Sequence, residues 1–259
     1  MDDFAIELLA GACVGASMGL VGAGGAVFTV PVFGVLLGHA PKAAILEALA
    51  VTGAIAAVSA AIAGARGLVD ARRAALLGSA GVAGTQLAAP VAARMPSGLQ
   101  VALFVALALF VAWRMWRREV MVADGAQGQS RPRSHASKTL AIGAVVGVLT
   151  SILGVGGGFL LTPALVLWER LRMPEAIGTS LAVIALNAAA GLGGQWWSGG
   201  FGTVEFDLGA VGVTAAFGVA GSFAGSGIAG RLPQLAVRRV FALMLVAAGV
   251  ALAASAVGG

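Results

Sequence analysis

The chain has 259 residues, of which 59% are hydrophobic, 10% are charged and 40 are glycine. A soluble domain carries roughly 25% charged residues, so this chain has too little polar surface to fold in water. The mean hydropathy of +0.97 predicts an all-α polytopic membrane protein. The net charge of +5 comes from basic residues scattered over short loops. That distribution is typical of topology signals and argues against a nucleic-acid partner.

Glycine, proline and charged residues divide the chain into apolar segments. In chain order they span residues 4–20, 25–37, 43–64, 74–93, 97–115, 139–153, 158–168, 176–195, 208–229 and 240–257. Segments 25–37 and 158–168 are short for a bilayer that needs about 20 residues, which leaves open whether they span the membrane or re-enter it. The N-terminus carries Asp2, Asp3 and Glu7, where a signal peptide would be positive, so we expect the first segment to be retained.

A long polar stretch over residues 117–138 predicts a flexible cytoplasmic linker. It separates a first transmembrane repeat over residues 1–116 from a second over residues 139–259. If all segments reverse direction, 14 of the 16 Lys and Arg residues lie on the cytoplasmic side, as the positive-inside rule requires. Lys42 and Arg94 are the exceptions. Both termini then face the periplasm of a bacterial inner membrane.

The two halves of the chain are similar in sequence. Residues 22–31 read GAGGAVFTVP and residues 154–163 read GVGGGFLLTP, and Arg94 aligns with Arg231 further on. Because each half contains five segments, an odd number, the second half enters the membrane in the opposite sense. The sequence therefore predicts two inverted-topology repeats with short broken or re-entrant helices at the glycine turns, as in many secondary transporters.

The glycine turns of the two halves are the first candidate site. Glycine permits positive φ and leaves backbone N–H groups uncovered, and the start of the following short helix would present its N–H groups to an anion. Close helix packing is the alternative interpretation, but duplication before two short segments favours a site. The candidates are Gly22, Gly24, Gly25, Gly154, Gly156, Gly157 and Gly158.

Polar residues inside the apolar segments form the second class of candidates. Most Ser and Thr residues in membrane helices bond back to their own helix. Thr29 and Thr162 lie near the glycine turns, so we expect their hydroxyls to face a cavity. Asn187 needs a partner on another helix or in a cavity. Thr179 and Ser180 belong to the same class.

Glu47 is the acidic residue within a predicted membrane helix and is therefore a candidate for proton coupling. Lys42 lies about one turn earlier, so pairing with Lys42 or extension to the membrane interface are alternatives. His39 falls in a predicted loop, and we expect no histidine to act as a proton relay. The lone Cys13 excludes a cysteine metal cluster, and we expect a small buried thiol there. No metal site and no cofactor are expected.

The doubled G-x-G-G-…-P motif, its position after the first segment of each half, and the stretch 174–182 resemble the TauE/SafE family of sulfite and organosulfur anion transporters. The resemblance covers nearly the whole chain. It implies movement of sulfite, thiosulfate, sulfoacetate or a related small anion, coupled to protons or sodium. It also carries over the glycine turns and the residues Pro31, Pro163, Thr179 and Ser180 as site residues. In the first half, Leu46 and Glu47 depart from that pattern.

We therefore expect a secondary transporter whose halves rock around a midplane site. A potential of ~100 mV is worth about 2.3 kcal/mol per charge and expels a monoanion roughly fifty-fold, so we expect export. A passive anion channel with the glycine turns as its filter is the alternative. An intramembrane enzyme is disfavoured, because the chain has no convincing H-E-x-x-H or G-x-S-x-G site and no acidic pair at membrane depth.

Overall fold

A computed structural model describes residues 3–22, 29–30, 32–92, 94–117, 135–153, 158–197 and 206–257. These ranges contain helices and no strand, which confirms the all-α prediction. The helices are α1 Asp3–Val21, a π-helical turn Val32–Leu36, α2 Pro41–Ala65, α3 Ala71–Ala92, α4 Ser97–Arg117, α5 Ala136–Leu153, α6 Gly158–Leu167, α7 Met173–Trp197, α8 Leu208–Arg231 and α9 Gln234–Val257.

Seven of the described helices, α1 to α5, α7 and α8, are long and apolar enough to cross a membrane. Their polarity is the reverse of a soluble bundle: Trp197 is 92% exposed, whereas Thr162 and Glu47 are fully buried. Large exposed apolar surfaces of this kind face lipid. Cys13 also lies on the exposed side of α1, so the expectation that it is buried was wrong.

The helix pairs of the two halves correspond. If each of the first five segments is replaced by its counterpart among the second five, and the reverse, the same set of pairs results. Helix α1 packs along α8, and α5 packs along α3. Helix α2 packs against α7, and α4 packs against α9. The π-helical turn lies against α2, as α6 lies against α7.

Small residues spaced four apart bring the backbones of α1 and α8 together. A Cβ atom built on Gly15 would lie only 1.8 Å from the backbone oxygen of Gly218, so no larger residue fits there. The same close approach recurs along the seam, between Gly11 and Thr214 and between Gly19 and Ser222. Since residue numbers rise together on both helices, α1 and α8 run parallel. This is the small-xxx-small packing of membrane helices.

The seam between α3 and α5 has the same construction. A Cβ on Gly143 would meet the backbone of Leu77, and one on Gly147 would meet that of Gly81, so these helices are also parallel. Helices α2 and α7 run antiparallel, with Gly53 near Ala188 and Gly178 near Ala63. We call the end where α1, α2 and α8 begin the Glu47 end, and the end where α3, α5 and α7 begin the Arg73 end.

Candidate functional site

Three predicted site residues from different segments meet inside the bundle, and we call them the hydroxyl cluster: Gly22, Thr162 and Ser180. The hydroxyls of Thr162 and Ser180 are hydrogen-bonded at 3.0 Å, and both side chains are fully buried. Gly22 has a φ of +90°, which favours glycine. A Cβ on Gly22 would lie 2.8 Å from Ser180 Oγ and 2.9 Å from Thr162 Oγ1. Glycine thus lets the chain end α1 directly beside the two hydroxyls.

Local structure places both hydroxyls at this point. Helix α6 begins at Gly158 and contains Pro163, so Thr162 lies one turn past a helix start whose first N–H groups lack intrahelical partners. Ser180 lies seven residues past Met173, the first residue of α7, or about 10 Å along its axis. The Ser180 hydroxyl also reaches the Ile177 carbonyl oxygen at 2.9 Å.

Residues on both sides of the hydroxyl cluster along α6 and α7 line two cavities. One cavity of about 730 Å³ is lined by Val166 and Ile177, among others. A second, of about 450 Å³, is lined by Leu161 and Ile184. Thr162 therefore sits on α6 between residues that face different cavities, and Ser180 occupies the corresponding place on α7. Thr162 and Ser180 are themselves fully buried and line neither cavity.

The larger cavity, which we call the Arg66 cavity, lies at the Arg73 end, because the loop residues Leu68 and Leu232 contribute to it. Ser59, Ser222 and Ser226 supply hydroxyls to its wall. Arg66 is the one charged residue among the described lining residues. A cavity lined by one sign of charge raises the local concentration of the opposite ion, so this cavity suits an anion.

The smaller cavity, which we call the Asn187 cavity, lies in the half of the bundle nearer the Glu47 end. Its polar lining residues are Thr52, Thr85, Gln86, Thr150, Ser151 and Asn187. The Asn187 Oδ1 atom is buried without a hydrogen-bond partner among the described residues. Buried polar atoms are nearly always bonded, so this oxygen is available to a water or a ligand. Thr29 lies beside Thr52, whose hydroxyl donates to it at 3.4 Å.

The adjacent residues Thr179 and Ser180 separate in the structure. Ser180 joins the hydroxyl cluster, whereas Thr179 Oγ1 accepts a hydrogen bond of 3.1 Å from the backbone N–H of Asp70, just before α3. We call this contact the α3 anchor. At the other end of the bundle, Glu47 Oε1 accepts one of 2.9 Å from the backbone N–H of Asp207, just before α8. We call that contact the α8 anchor.

Glu47 pairs with a histidine that sequence reasoning set aside. His39 Nδ1 lies 2.6 Å from Glu47 Oε2, in place of the pairing with Lys42 or the interfacial position considered from the sequence. The loop after the π-helical turn folds back over the start of α2, and the His39 ring lies 5.8 Å from that of Phe33. The prediction that His39 lies in a loop therefore did not indicate how close it is to the buried carboxylate.

The Arg73 end carries a buried ion-pair network that the sequence did not indicate. Arg73 Nη1 lies 3.0 Å from Asp70 Oδ2, and Arg73 Nε lies 3.2 Å from Glu169 Oε2. The Thr139 hydroxyl donates to Glu169 Oε1 at 3.3 Å. These contacts join three elements: α3, α5 and the loop that follows α6. The sequence did contain one indication that the two ends correspond. Asp70 and Asp207 are separated by the same number of residues as the aligned pair Arg94 and Arg231.

A second ion pair at this end lies at the surface. Arg172 Nη2 is 2.7 Å from Glu175 Oε1, and the Arg172 side chain is 62% exposed. The hydrogen bond to Glu175, followed by their Coulomb attraction, raises the pKa of Arg172. The guanidinium therefore stays charged at every pH relevant to the protein.

Six predicted site residues lie outside the described residues: Gly24, Gly25, Pro31, Gly154, Gly156 and Gly157. Gly158 is the first residue of α6, and Pro163 is buried within that helix. Their proposed contact with a substrate stays a prediction.

One stretch of α1 fits the string G-x-S-x-G, namely Gly15-Ala16-Ser17-Met18-Gly19. An active-site serine of that motif sits on a sharp turn between a strand and a helix. Here the string lies inside a helix, and the Ser17 hydroxyl donates to the Val14 carbonyl oxygen at 2.7 Å. The two glycines pack against α8, so this stretch is a helix-packing surface.

The membrane-crossing helices and the buried polar interior place this chain in the class of polytopic membrane transport proteins. The profile described as Sulfite exporter TauE/SafE matches residues 7–252, and the chain belongs to that family. It is therefore a multi-pass membrane protein of a family of sulfite and anion transporters. No curated protein and no solved structure gives a significant match.

Proposed function

We propose that this protein is a secondary transporter that exports a small sulfur-containing anion, such as sulfite, thiosulfate or sulfoacetate, across the bacterial inner membrane. The observation that carries the proposal is the position of the hydroxyl cluster, along α6 and α7, between residues that line the Arg66 cavity and residues that line the Asn187 cavity. A substrate held by Thr162 and Ser180 would lie between these two sets of lining residues. This is the arrangement that alternating access around a central site requires.

The binding chemistry follows from the groups at the cluster. The Thr162 and Ser180 hydroxyls can rotate from their mutual hydrogen bond to donate to an oxyanion. The first N–H groups of α6 supply further donors, since helix N-termini favour anions. Arg66 concentrates anions at the Arg73 end, whereas the described residues that line the Asn187 cavity carry no charge.

The alternating movement rests on the repeat architecture. Two inverted repeats, residues 1–116 and 139–259, are joined by a cytoplasmic linker over residues 117–138. This division is supported by the corresponding helix pairs of the two halves and by the antiparallel course of α2 and α7. With five segments in each half, both termini face the periplasm. Alkaline phosphatase fused to either terminus should then be active, and a green fluorescent protein fused there should be dark. A fluorescent fusion at one terminus would contradict this topology.

The transport assay is uptake of labelled sulfite, thiosulfate and sulfoacetate into proteoliposomes under an imposed membrane potential. Hydrogen bonds to charged groups contribute about 1.5–3 kcal/mol, so Ser180→Ala and Thr162→Val should each weaken substrate affinity roughly ten- to hundred-fold. Ser17→Ala is the matched control for the serine, because Ser17 is also buried and bonds a carbonyl three residues earlier. Thr214→Val is the control for the threonine, since Thr214 is equally buried.

The outcomes separate the alternatives. Saturable flux that weakens in the cluster variants, with unchanged controls, supports the proposed site. Flux that does not saturate and ignores the gradient of a second anion indicates a passive channel instead. Equal affinity in Ser180→Ala, Thr162→Val and wild type would remove the hydroxyl cluster from the binding site. Coupling to protons or to sodium completes the proposal, with Glu47 as the candidate group for a proton.

A further inference from the structure

The α8 anchor contains a buried carboxylate in contact with an ionisable ring. Glu47 is fully buried, whereas the His39 side chain is 23% exposed. The two groups are 2.6 Å apart, and the other carboxylate oxygen holds the Asp207 N–H at 2.9 Å. A path therefore runs from solvent through His39 to Glu47 and on to the first residue before α8.

Among the described residues, few charged groups lie around this pair. Lys42 lies about one turn earlier on α2 and is exposed. The Asp207 carboxylate faces its own helix, where it accepts from the N–H groups of Gly209 and Ala210. Glu7 lies in the first part of α1, the helix that runs beside α8. The π-helical turn and the described last turn of α7 contribute neutral residues.

The α3 anchor provides an internal comparison. Asp70 and Asp207 both precede a helix, both accept hydrogen bonds from that helix through their side chains, and both donate their own N–H to a membrane helix of the opposite half. At the Arg73 end the acceptor is the neutral hydroxyl of Thr179. At the Glu47 end it is a carboxylate. The two anchors thus share their geometry and differ in whether the acceptor can take up a proton.

We propose that His39 and Glu47 together bind the proton that is coupled to transport, and that this proton controls the α8 anchor. This inference rests on the proposed transport function. In the unloaded state one proton lies between Nδ1 and Oε2, and the pair carries one negative charge. A second proton from solvent binds Nε2 of His39, the shared proton passes from Nδ1 to Glu47 Oε2, and the pair becomes neutral with a protonated carboxyl.

Loading changes the strength of the α8 anchor. Hydrogen bonds to a charged acceptor are roughly twice as strong as those between neutral groups, so neutralising the pair weakens its hold on Asp207. Helix α8 moves with α1, because the two are packed backbone to backbone. The proton therefore loosens the α1–α8 seam from α2 at one end of the bundle. The α3 anchor holds the other end at every pH.

The first test measures protonation without transport. Infrared difference spectra of the purified protein in lipid, taken between about pH 5 and pH 8 where histidine titrates, should show the carbonyl stretch of a protonated buried carboxyl. Glu47→Gln should abolish this band, and His39→Gln should shift its midpoint. Glu169→Gln is the matched control, because Glu169 is also buried but faces Arg73, and it should leave the band in place. A band that survives Glu47→Gln would overturn the proposal.

The second test measures coupling with sulfite as the probe. One proton per anion gives about a tenfold change in the steady-state sulfite distribution for each unit of imposed pH difference. Glu47→Gln and His39→Gln should remove the coupled part of that response and leave only the pH dependence caused by protonation of sulfite itself, and a response equal to wild type would contradict the inference. If wild type moves no sulfite, sulfite is not its substrate, and the infrared test still decides whether the pair binds a proton.

Discussion

At each end of the bundle, the backbone N–H of the aspartate before a helix donates to a helix of the opposite half, but the accepting side chain differs. At the Arg73 end the Thr179 hydroxyl accepts a hydrogen bond from the Asp70 N–H, and the nearby Arg73 forms an ion pair with Glu169. At the Glu47 end a carboxylate and a histidine occupy the corresponding place. The two ends thus share one backbone geometry while their ionisable groups differ.

The largest expected effect tests whether the two seams are equivalent. A Cβ on Gly84 would lie 2.4 Å from the Ala144 backbone oxygen, and one on Gly221 would lie 2.3 Å from that of Ala12. Gly84→Leu and Gly221→Leu should therefore both abolish the monodisperse protein peak after detergent extraction. Gly212→Leu on α8 is the control, since its Cβ would meet open space. A normal peak from one of the two variants would break the equivalence.

The second effect tests the ion pair that distinguishes the Arg73 end. Removing one partner of a buried pair costs about 3–5 kcal/mol, because a buried charge is left behind. Arg73→Gln should lower the free energy of unfolding in detergent by that amount. Arg172→Gln is the control, and its exposed pair with Glu175 contributes less than about 1 kcal/mol. Equal stability of the two variants would show that the Arg73 network is dispensable.

The third effect sharpens the contrast between the anchors. Thr179→Val leaves the Asp70 N–H without its acceptor and should cost about 1–3 kcal/mol. This loss should be the same across about pH 5 to pH 8, since a hydroxyl does not titrate there. Thr214→Val should be neutral or slightly stabilising, because the buried Thr214 hydroxyl lacks a hydrogen-bond partner among the described residues. A pH-dependent loss for Thr179→Val would remove the proposed difference between the ends.

The smallest effect concerns the helix cap at the Glu47 end. The Asp207 carboxylate caps α8, and replacement of such a cap by Ala costs about 1 kcal/mol. Asp207→Ala should lower the unfolding free energy by that amount while keeping the N–H that Glu47 accepts. The pH dependence of sulfite distribution should therefore survive in this variant. Loss of that dependence would show that the Asp207 side chain, and not its N–H, transmits the proton's effect.

The candidate site was predictable in part. Gly22 was predictable from the sequence repeat, and Thr162 and Ser180 were predictable as hydroxyl residues within apolar segments. The sequence did not separate Ser180, which joins the cluster, from its neighbour Thr179, which anchors α3. Adjacent residues on a helix face different directions, and the packing of other helices determines what each one meets.

The sequence by itself determined the membrane class, the positions of the helices, the short segment that became α6 and the family. These properties follow from hydropathy, from the positions of glycine, proline and charged residues, and from sequence repetition, all of which are local features of the sequence. The tertiary structure alone decided which helices pair, where the cavities lie and which groups surround Glu47. His39 is 8 residues from Glu47 and Asp207 is 160 residues away. Contacts over such separations arise because parallel seams of small residues fix how helices from opposite halves lie together.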